Sequence, residues 1–236
     1  MKKTFLTLLL SGTSLIAAPC LIAPLSTYTT AGFSCTLDLF TYKEFFFGVT
    51  SSSPGYSPLL AAGILVTPTF TPLTTGNRLT MNFSSQGFGV NGTDFVTYDI
   101  RYNIDPPPDI IIETDDLLNT NTPVFPGAAD VVTKACVGGK WIVPPPLAIC
   151  NPPGNIMLLN VFHHGTSAQL LNSITFPGVH ILGIDNFITL AANGQSSSIT
   201  GLTNGVTEAT PEPASIGLVL SGLALVALRR LPPKAR

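Results

Sequence analysis

The chain has 236 residues, of which 45% are hydrophobic and only 10% are charged, and its formal net charge is −2 at pH 7. Several of its basic residues lie at the two ends, so the body is mildly acidic and lacks a basic patch, which excludes nucleic acid as a partner. With both ends set aside, roughly 190 residues remain, enough for one domain with a sizeable core.

The N-terminal segment, residues 1–18, has the features of a secretory signal peptide. Met1-Lys2-Lys3 is a short positive region, and residues 5–18 are apolar apart from small polar residues. Signal peptidase has possible cut sites after Ala17, Ala18 or Ala31, and the sequence leaves this choice open. Cys20 suggests an alternative as a lipoprotein, but the preceding proline does not fit a lipobox.

The clearest secondary-structure signal lies in residues 96–104, where apolar and polar side chains alternate as in a half-buried strand. The alternation predicts that Tyr98 and Ile100 are buried and that Asp99 and Arg101 are exposed. We therefore expect Ile100→Ala to cost ~2–5 kcal/mol of stability and Arg101→Ala to stay within about 0.5 kcal/mol.

Further strands are predicted from similar alternation and from short apolar runs between proline and glycine turns. They cover residues 43–49, 63–67, 79–84, 109–113, 131–137, 156–162, 171–176 and 179–190. Asn91-Gly92 predicts a turn just before the clearest strand. Together these signals predict an all-β antiparallel β-sandwich, jelly-roll-like, over residues 19–192.

Residues 193–210 are mostly small and polar and contain no aromatic residue. This composition predicts a flexible Ser/Thr/Gly-rich stalk, with one short strand around residues 198–202.

Four cysteines, Cys20, Cys35, Cys136 and Cys150, are disulfide candidates, because an exported chain meets an oxidising compartment. Their spacing suggests two local pairs, Cys20–Cys35 and Cys136–Cys150. Each pair would close a loop of about 15 residues, which adds ~3 kcal/mol on a chain-entropy model. Four cysteines allow three pairings, and the sequence alone does not choose among them.

No catalytic signature is present: the sequence has neither a Gly-x-Ser-x-Gly elbow nor a phosphate-binding glycine loop. We predict no enzyme activity, no cofactor and no metal. His163 and His164 are adjacent on a predicted strand and point to opposite faces, so a zinc site that pairs one of them with His180 is only an alternative.

Two other features suggest ligands. Five acidic residues gather in a short stretch, a possible calcium site without the pattern of an EF-hand: Asp105, Asp109, Glu113, Asp115 and Asp116. Trp141 and the run Phe45-Phe46-Phe47 offer surfaces for stacking sugars, although aromatic residues of a β-sandwich usually form its core. Asp185-Asn186 resembles a pair in the late strand of many carbohydrate-binding jelly rolls, where such pairs are often structural.

The C-terminal segment, residues 211–236, has three parts. Pro211-Glu212-Pro213 keeps the backbone extended, residues 214–228 are uncharged and apolar, and Arg229 and Arg230 begin a basic end. As a helix the apolar part spans roughly 22 Å, marginal for a bilayer core of ~30 Å, and the arginines would stop it on the cytoplasmic side. An ordinary membrane anchor is the alternative.

This arrangement resembles the PEP-CTERM sorting signal of bacterial surface proteins, which a membrane-embedded exosortase processes. The resemblance implies an exosortase as partner, transient residence in the inner membrane, and a final place at the cell surface, outer envelope or extracellular matrix. Glu212 would then be essential for cleavage near Pro211-Glu212-Pro213.

The body resembles a group of uncharacterised exported PEP-CTERM proteins in four short stretches. These stretches are residues 25–35, Ala135-Cys136-Val137-Gly138-Gly139 with Cys150, residues 173–188, and the sorting signal. The resemblance implies a β-rich secreted domain with cysteine pairs and no known chemistry. We therefore expect a surface protein with a structural or adhesive role and with exopolysaccharide as a candidate partner. A carbohydrate- or calcium-binding module is the alternative.

Overall fold

The computed structural model describes residues 18–74, 76–105, 110–119, 127–142, 149–153 and 155–209. Nearly all of the predicted signal peptide lies outside these ranges, and so do Pro211, Glu212, Pro213, Arg229 and Arg230 of the predicted sorting signal. Among the described residues, none of the helices has both the length and the hydropathy of a membrane span.

The described chain is built almost entirely of strands. In chain order they are β1 Ala18–Pro19, β2 Ala23–Pro24, β3 Ser34–Leu37, β4 Phe40–Ser52, β5 Leu65–Leu73, β6 Gly76–Ser84, β7 Gly89–Gly92, β8 Phe95–Asp105, β9 Ile110–Asn119, β10 Ala128–Val137, β11 Lys140–Ile142, β12 Ile149–Asn151, β13 Asn155–His164, β14 Ser167–Gln169, β15 Leu171–Val179, β16 Leu182–Ala191, β17 Gln195–Ser198 and β18 Gly201–Ala209. One short α-helix, α1 Leu25–Tyr28, and a 3₁₀ turn, Ala61–Gly63, complete the described elements.

Two large sheets carry the fold. The first sheet has eight strands in the order β1-β3-β4-β8-β16-β10-β13-β14, and the second has six in the order β15-β9-β18-β6-β5-β2. All pairings between neighbours are antiparallel except that of β1 with β3. Two small two-stranded sheets are added to them, the hairpin β11-β12 and the pair β7-β17, whose strands are distant in sequence. The prediction of an all-β antiparallel sandwich is confirmed.

The larger of the two hydrophobic clusters in the described residues lies between the two sheets. Tyr98 and Ile100 of β8 are both fully buried in it, as predicted from the alternation of that strand. Tyr102, also on β8, stacks on Phe45 and contacts Phe83 of the second sheet, with ring centroids 5.3 and 5.9 Å apart. The inner faces of both sheets thus form one aromatic-rich core.

The outer face of β8 differs from the prediction. Asp99 and Arg101 are only 3% and 5% exposed, so the expectation that they are exposed is wrong. β8 lies in the middle of the first sheet between β4 and β16, and the ring of Phe46 from β4 covers the Arg101 guanidinium at 4.2 Å. Alternation separates the two faces of a strand, but it does not show whether the second face is covered.

The predicted stalk over residues 193–210 is also wrong for the described part. Residues 195–198 form β17, and residues 201–209 form β18, which lies between β6 and β9 in the second sheet. The polar side chains of β18 are buried because they have partners: Asn82 Nδ2 donates to Thr203 Oγ1 at 2.7 Å, and Asn204 Nδ2 donates to Asp116 Oδ1 at 2.7 Å. Composition alone suggested a linker, but the hydrogen-bond partners are distant in sequence.

Both predicted disulfides are present, Cys20–Cys35 and Cys136–Cys150. The first joins β3 to the residue that follows β1. The second joins β10 of the first sheet to β12 of a small hairpin. Disulfides of this kind persist in oxidising compartments, so they indicate an extracytoplasmic protein.

Candidate ligand-binding site

The hairpin β11–β12 lies against the outer face of the first sheet. Asn103 of β8 joins the two: Trp141 N donates to Asn103 Oδ1 at 2.8 Å, and Asn103 Nδ2 donates to Trp141 O at 3.0 Å. Gly183 pairs with both Asn103 and Cys136, so the Cys136–Cys150 disulfide fixes the hairpin at the same place. Trp141 is therefore held rigidly on this face.

Glu44 lies beside the hairpin, at an irregularity of β4. The pairing of β4 with β8 shifts between Lys43 and Phe46, and Glu44 has a φ of 57°. A positive φ is uncommon for a residue other than glycine and costs energy, so it points to a functional hypothesis. The Glu44 side chain is exposed, and its Oε2 accepts a 2.7 Å hydrogen bond from Asn103 Nδ2.

Two clefts meet at Glu44. One, of about 450 Å³, lies between the loop of residues 29–34 and residues 43–46 of β4. The other, of about 420 Å³, is lined by Glu44, Lys140, Trp141 and Ile142. We call the two together the Glu44 groove. Its principal side chains are Phe33, Lys43, Glu44, Phe46, Lys140, Trp141 and Ile142.

The charges of the groove are nearly balanced. Lys43 and Lys140 both bind the carboxylate of Asp105, and Lys140 Nζ lies 3.2 Å from Asp105 Oδ1. Glu44 forms no salt bridge within the described part of the chain. Trp141 Nε1 is buried and has no hydrogen-bond partner among the described residues. The groove thus offers one carboxylate acceptor and ammonium donors next to aromatic side chains.

A buried charged layer supports Phe46 from below. Arg101 donates to Asp99 through Nε at 2.9 Å and Nη2 at 2.7 Å, and its Nε lies 3.6 Å from Asp185 Oδ1. Burial, and then the neighbouring Asp99, raise the pKa of Asp185 to about 8. Because the guanidinium is fixed on two sides, the ring of Phe46 stacked on it is fixed as well.

Of the aromatic residues expected to stack sugars, three line the groove: Phe45, Phe46 and Trp141. Phe45 is nearly buried and belongs to the core, and Phe47 stacks on Tyr98 away from the groove. Sequence reasoning missed Glu44, because no local pattern marks a strand irregularity that depends on the pairing with β8.

The acidic run is not gathered around one point. Asp105 binds Lys43 and Lys140, Asp115 accepts from Arg78 Nε at 3.0 Å, and Asp116 lies in the core. Asp109 lies outside the described residues. The geometry therefore favours ion pairing over a calcium site for this run.

The histidines are likewise separated. His164 Nε2 lies 2.8 Å from Asp130 Oδ2, while His163 points to the opposite face of β13 and His180 is exposed. The described residues contain no cluster of three or more His, Cys, Asp or Glu side chains suited to a metal ion.

The Asp185-Asn186 pair divides between the two faces of β16. Asp185 joins the charged layer, and Asn186 points into the core. There Asn186 Nδ2 donates to Asn204 Oδ1 at 2.9 Å and to Ile100 O at 3.1 Å, so it joins the two sheets. Both residues have structural partners and neither lines the groove.

Comparisons with known proteins are sparse. No family model and no curated protein matches the chain. One similar solved structure is TmCBM61 in complex with beta-1,4-galactotriose, with 11% identity, a TM-score of 0.29, and coverage of 53% of this chain and 69% of that one. Another is the family 11 carbohydrate-binding module from Clostridium thermocellum in complex with a beta-1,3-1,4-mixed-linked tetrasaccharide, with 13% identity, a TM-score of 0.24, and coverage of 69% and 88%. TM-scores this low transfer neither a ligand nor a site to this chain.

Proposed function

We propose that the chain is an exported carbohydrate-binding protein with an adhesive role at the cell surface or in the extracellular matrix. The ligand lies in the Glu44 groove, and the protein binds it without chemical change. The observation that carries this proposal is the meeting of two clefts at one exposed carboxylate, with Phe46 on one side and Trp141 on the other.

The groove suits a sugar because both parts of a pyranose ring find partners there. The C–H face of the ring packs on an aromatic side chain, and Phe46 is available for this contact. The hydroxyls bind ionised groups, and Glu44 accepts such hydrogen bonds while Lys140 donates them. Two clefts that share Glu44 fit a chain of several sugar units better than a single small molecule.

Charge argues for a neutral polysaccharide. The two lysines of the groove already bind Asp105, and Glu44 adds a negative charge that repels uronate or sulfate groups. The body as a whole is also acidic. A hydroxyl-rich, uncharged glycan is repelled neither by Glu44 nor by the acidic body.

The place of action is proposed from the sequence and from the disulfides. The chain enters the inner membrane as a precursor, and exosortase cuts it near Pro211-Glu212-Pro213 before it reaches the surface. Replacing Glu212 should leave the full-length form in the inner membrane. Mass spectrometry of surface protein that still carries residues 218–236 would contradict this step.

A glycan array tests the ligand. The purified chain should retain neutral β-linked or α-linked polysaccharides and not matched uronic acid polymers. Phe46→Ala should abolish the signal, whereas Phe70→Ala, which removes an exposed phenylalanine of β5 in the second sheet, should leave it unchanged. Retention that depends equally on both residues, or only on anionic glycans, would contradict the proposal.

A further inference from the structure

β13 has an open edge along more than half of its length. On one side it pairs with β10 through all of its residues, Asn155 to His164. On the other side it pairs with β14 only at Phe162, His163 and His164. Within the described part of the chain, residues 155–161 have no strand partner on that side.

The open stretch lacks the usual protection of an edge strand. Ile156 and Leu158 are 52% and 60% exposed, and both point to the outer face. Residues 155–162 contain no charged residue and no proline. Edge strands in monomeric proteins normally carry lysine, proline or a bulge that prevents pairing with another chain. An exposed, apolar, uncharged edge without these features is a template for strand addition.

One side-chain contact sets the limit of the open edge. Asn172 Nδ2 of β15 donates to the backbone oxygen of Asn160 at 3.2 Å. A partner strand therefore has residues 155–159 available, a length sufficient for a short ladder. The middle of this stretch is Met157.

We propose that β13 is a self-association edge, at which two copies of this chain pair in antiparallel fashion with Met157 at the two-fold axis. In this register Ile156 of one copy lies opposite Leu158 of the other. The pair forms twice, once on each side of the axis, so all four exposed apolar side chains are covered. A second copy fits because an uncharged segment meets its own equivalent without repulsion, although the acidic body would otherwise disfavour self-association. The two-fold closes the assembly at a dimer.

The dimer has a consequence for the Glu44 groove. A two-fold axis perpendicular to the sheet joins the first sheet of one copy to the first sheet of the other. The outer faces of the two copies then lie on the same side of the joined sheet. Two grooves then face one polysaccharide surface, and simultaneous binding raises the apparent affinity. The dimer itself rests on the strand edge and does not depend on the proposed ligand.

Analytical ultracentrifugation of the exported, processed protein tests this edge. The wild type should sediment as a dimer. The double variant Ile156→Lys/Leu158→Lys should sediment as a monomer, because the register places like charges opposite each other. The double variant Ile156→Lys/Leu158→Glu places opposite charges across the seam, and its dimer should persist at low salt and dissociate at high salt. Leu60→Lys, at a loop residue that is 73% exposed, is the control and should leave the dimer intact.

Intact disulfides and native Trp141 fluorescence show that each variant is folded. A wild type that is monomeric at its highest soluble concentration overturns the proposal. A double lysine variant that still sediments as a dimer also overturns it. The same holds if the edge binds an unrelated extended peptide in place of a second copy. If the double lysine variant does not fold, the Lys/Glu variant decides the test. An oligomeric state of that variant that is the same at low and high salt contradicts the proposal.

Discussion

Trp141 occupies the space that the missing side chain of Gly183 leaves free. A Cβ at position 183 would lie 2.7 Å from Trp141 Cδ1, 2.8 Å from Asn103 Oδ1 and 2.9 Å from Trp141 N. Contacts of a Cβ below 3.0 Å are not tolerated. Two of these three atoms, Trp141 N and Asn103 Oδ1, form the hydrogen bond between the hairpin and β8. The hairpin β11–β12 can approach the first sheet this closely only because residue 183 is a glycine.

Gly183→Ala should therefore displace the hairpin. We expect a loss of ~1–3 kcal/mol in the free energy of unfolding, because overpacking forces the backbone to move. Denaturant titration measures it. Gly63→Ala is the matched control, since its Cβ would meet only the flexible end of Leu59, and it should cost less. Equal losses for the two variants would show that the hairpin is not tightly seated.

Arg101→Ala should destabilise the protein strongly, contrary to the expectation from strand alternation. Arg101, Asp99 and Asp185 are all at most 5% exposed, so removal of the guanidinium leaves the buried Asp99 carboxylate without its cation. The expected loss is ~3–5 kcal/mol. Lys43→Ala breaks a partly exposed pair with Asp105 and should cost at most ~1 kcal/mol. A cost for Arg101→Ala near that of Lys43→Ala would contradict the buried layer.

Asp116 should make stability depend on pH. Burial raises its pKa from the ordinary 3.8 to about 6, so the folded state favours the protonated form. The resulting stabilisation is complete below the unfolded pKa and is lost as the pH rises through about 6. Asp116→Asn lacks this titration. The stability of the wild type relative to the variant should therefore fall by roughly 3 kcal/mol as the pH rises from acid to neutral.

Denaturant titrations of both proteins over this pH range give the difference directly. Asp185, whose pKa burial raises to about 8, titrates in both proteins and cancels in the comparison. A difference that is constant with pH, or that grows in favour of the wild type as the pH rises, would contradict the burial of Asp116.

The Cys136–Cys150 disulfide should hold the hairpin specifically. Trp141 is the single tryptophan of the chain, so its emission reports on this hairpin. Cys136→Ser/Cys150→Ser should lose ~3 kcal/mol of stability and shift the native emission to the red. Cys20→Ser/Cys35→Ser should lose a similar amount of stability with no change in the native emission. Unchanged emission in the first variant would mean that Asn103 and Gly183 suffice to place Trp141.

The sequence predicted the features that depend on local pattern. The alternation around Tyr98 and Ile100 identified the central strand and its core face, and the spacing of the cysteines suggested, among three possible pairings, the two disulfides that are present. Residues 201–209 were misjudged, because Asn204 and its neighbours are polar and their partners, such as Asp116, lie far away in the chain. Local composition cannot show a buried hydrogen-bond network that joins two sheets.

The candidate site was only partly predictable for the same reason. Trp141 and Phe46 stood out as aromatic residues, but the sequence did not separate Phe46 from the buried Phe45. Glu44 gave no signal at all, since its position depends on how β4 pairs with β8 and on Asn103. Long-range pairing, which no local pattern encodes, creates the groove.

Calorimetric titration of a neutral oligosaccharide into the wild type and Glu44→Gln tests the central claim most directly. Loss of one charge-assisted hydrogen bond should weaken binding about tenfold or more, because such bonds contribute ~1.5–3 kcal/mol. Glu113→Gln, at a half-buried carboxylate that lines a cleft on the second sheet, should bind as the wild type does. Equal affinity for Glu44→Gln and the wild type, or no binding of any neutral oligosaccharide by the wild type, would contradict a carbohydrate site at Glu44.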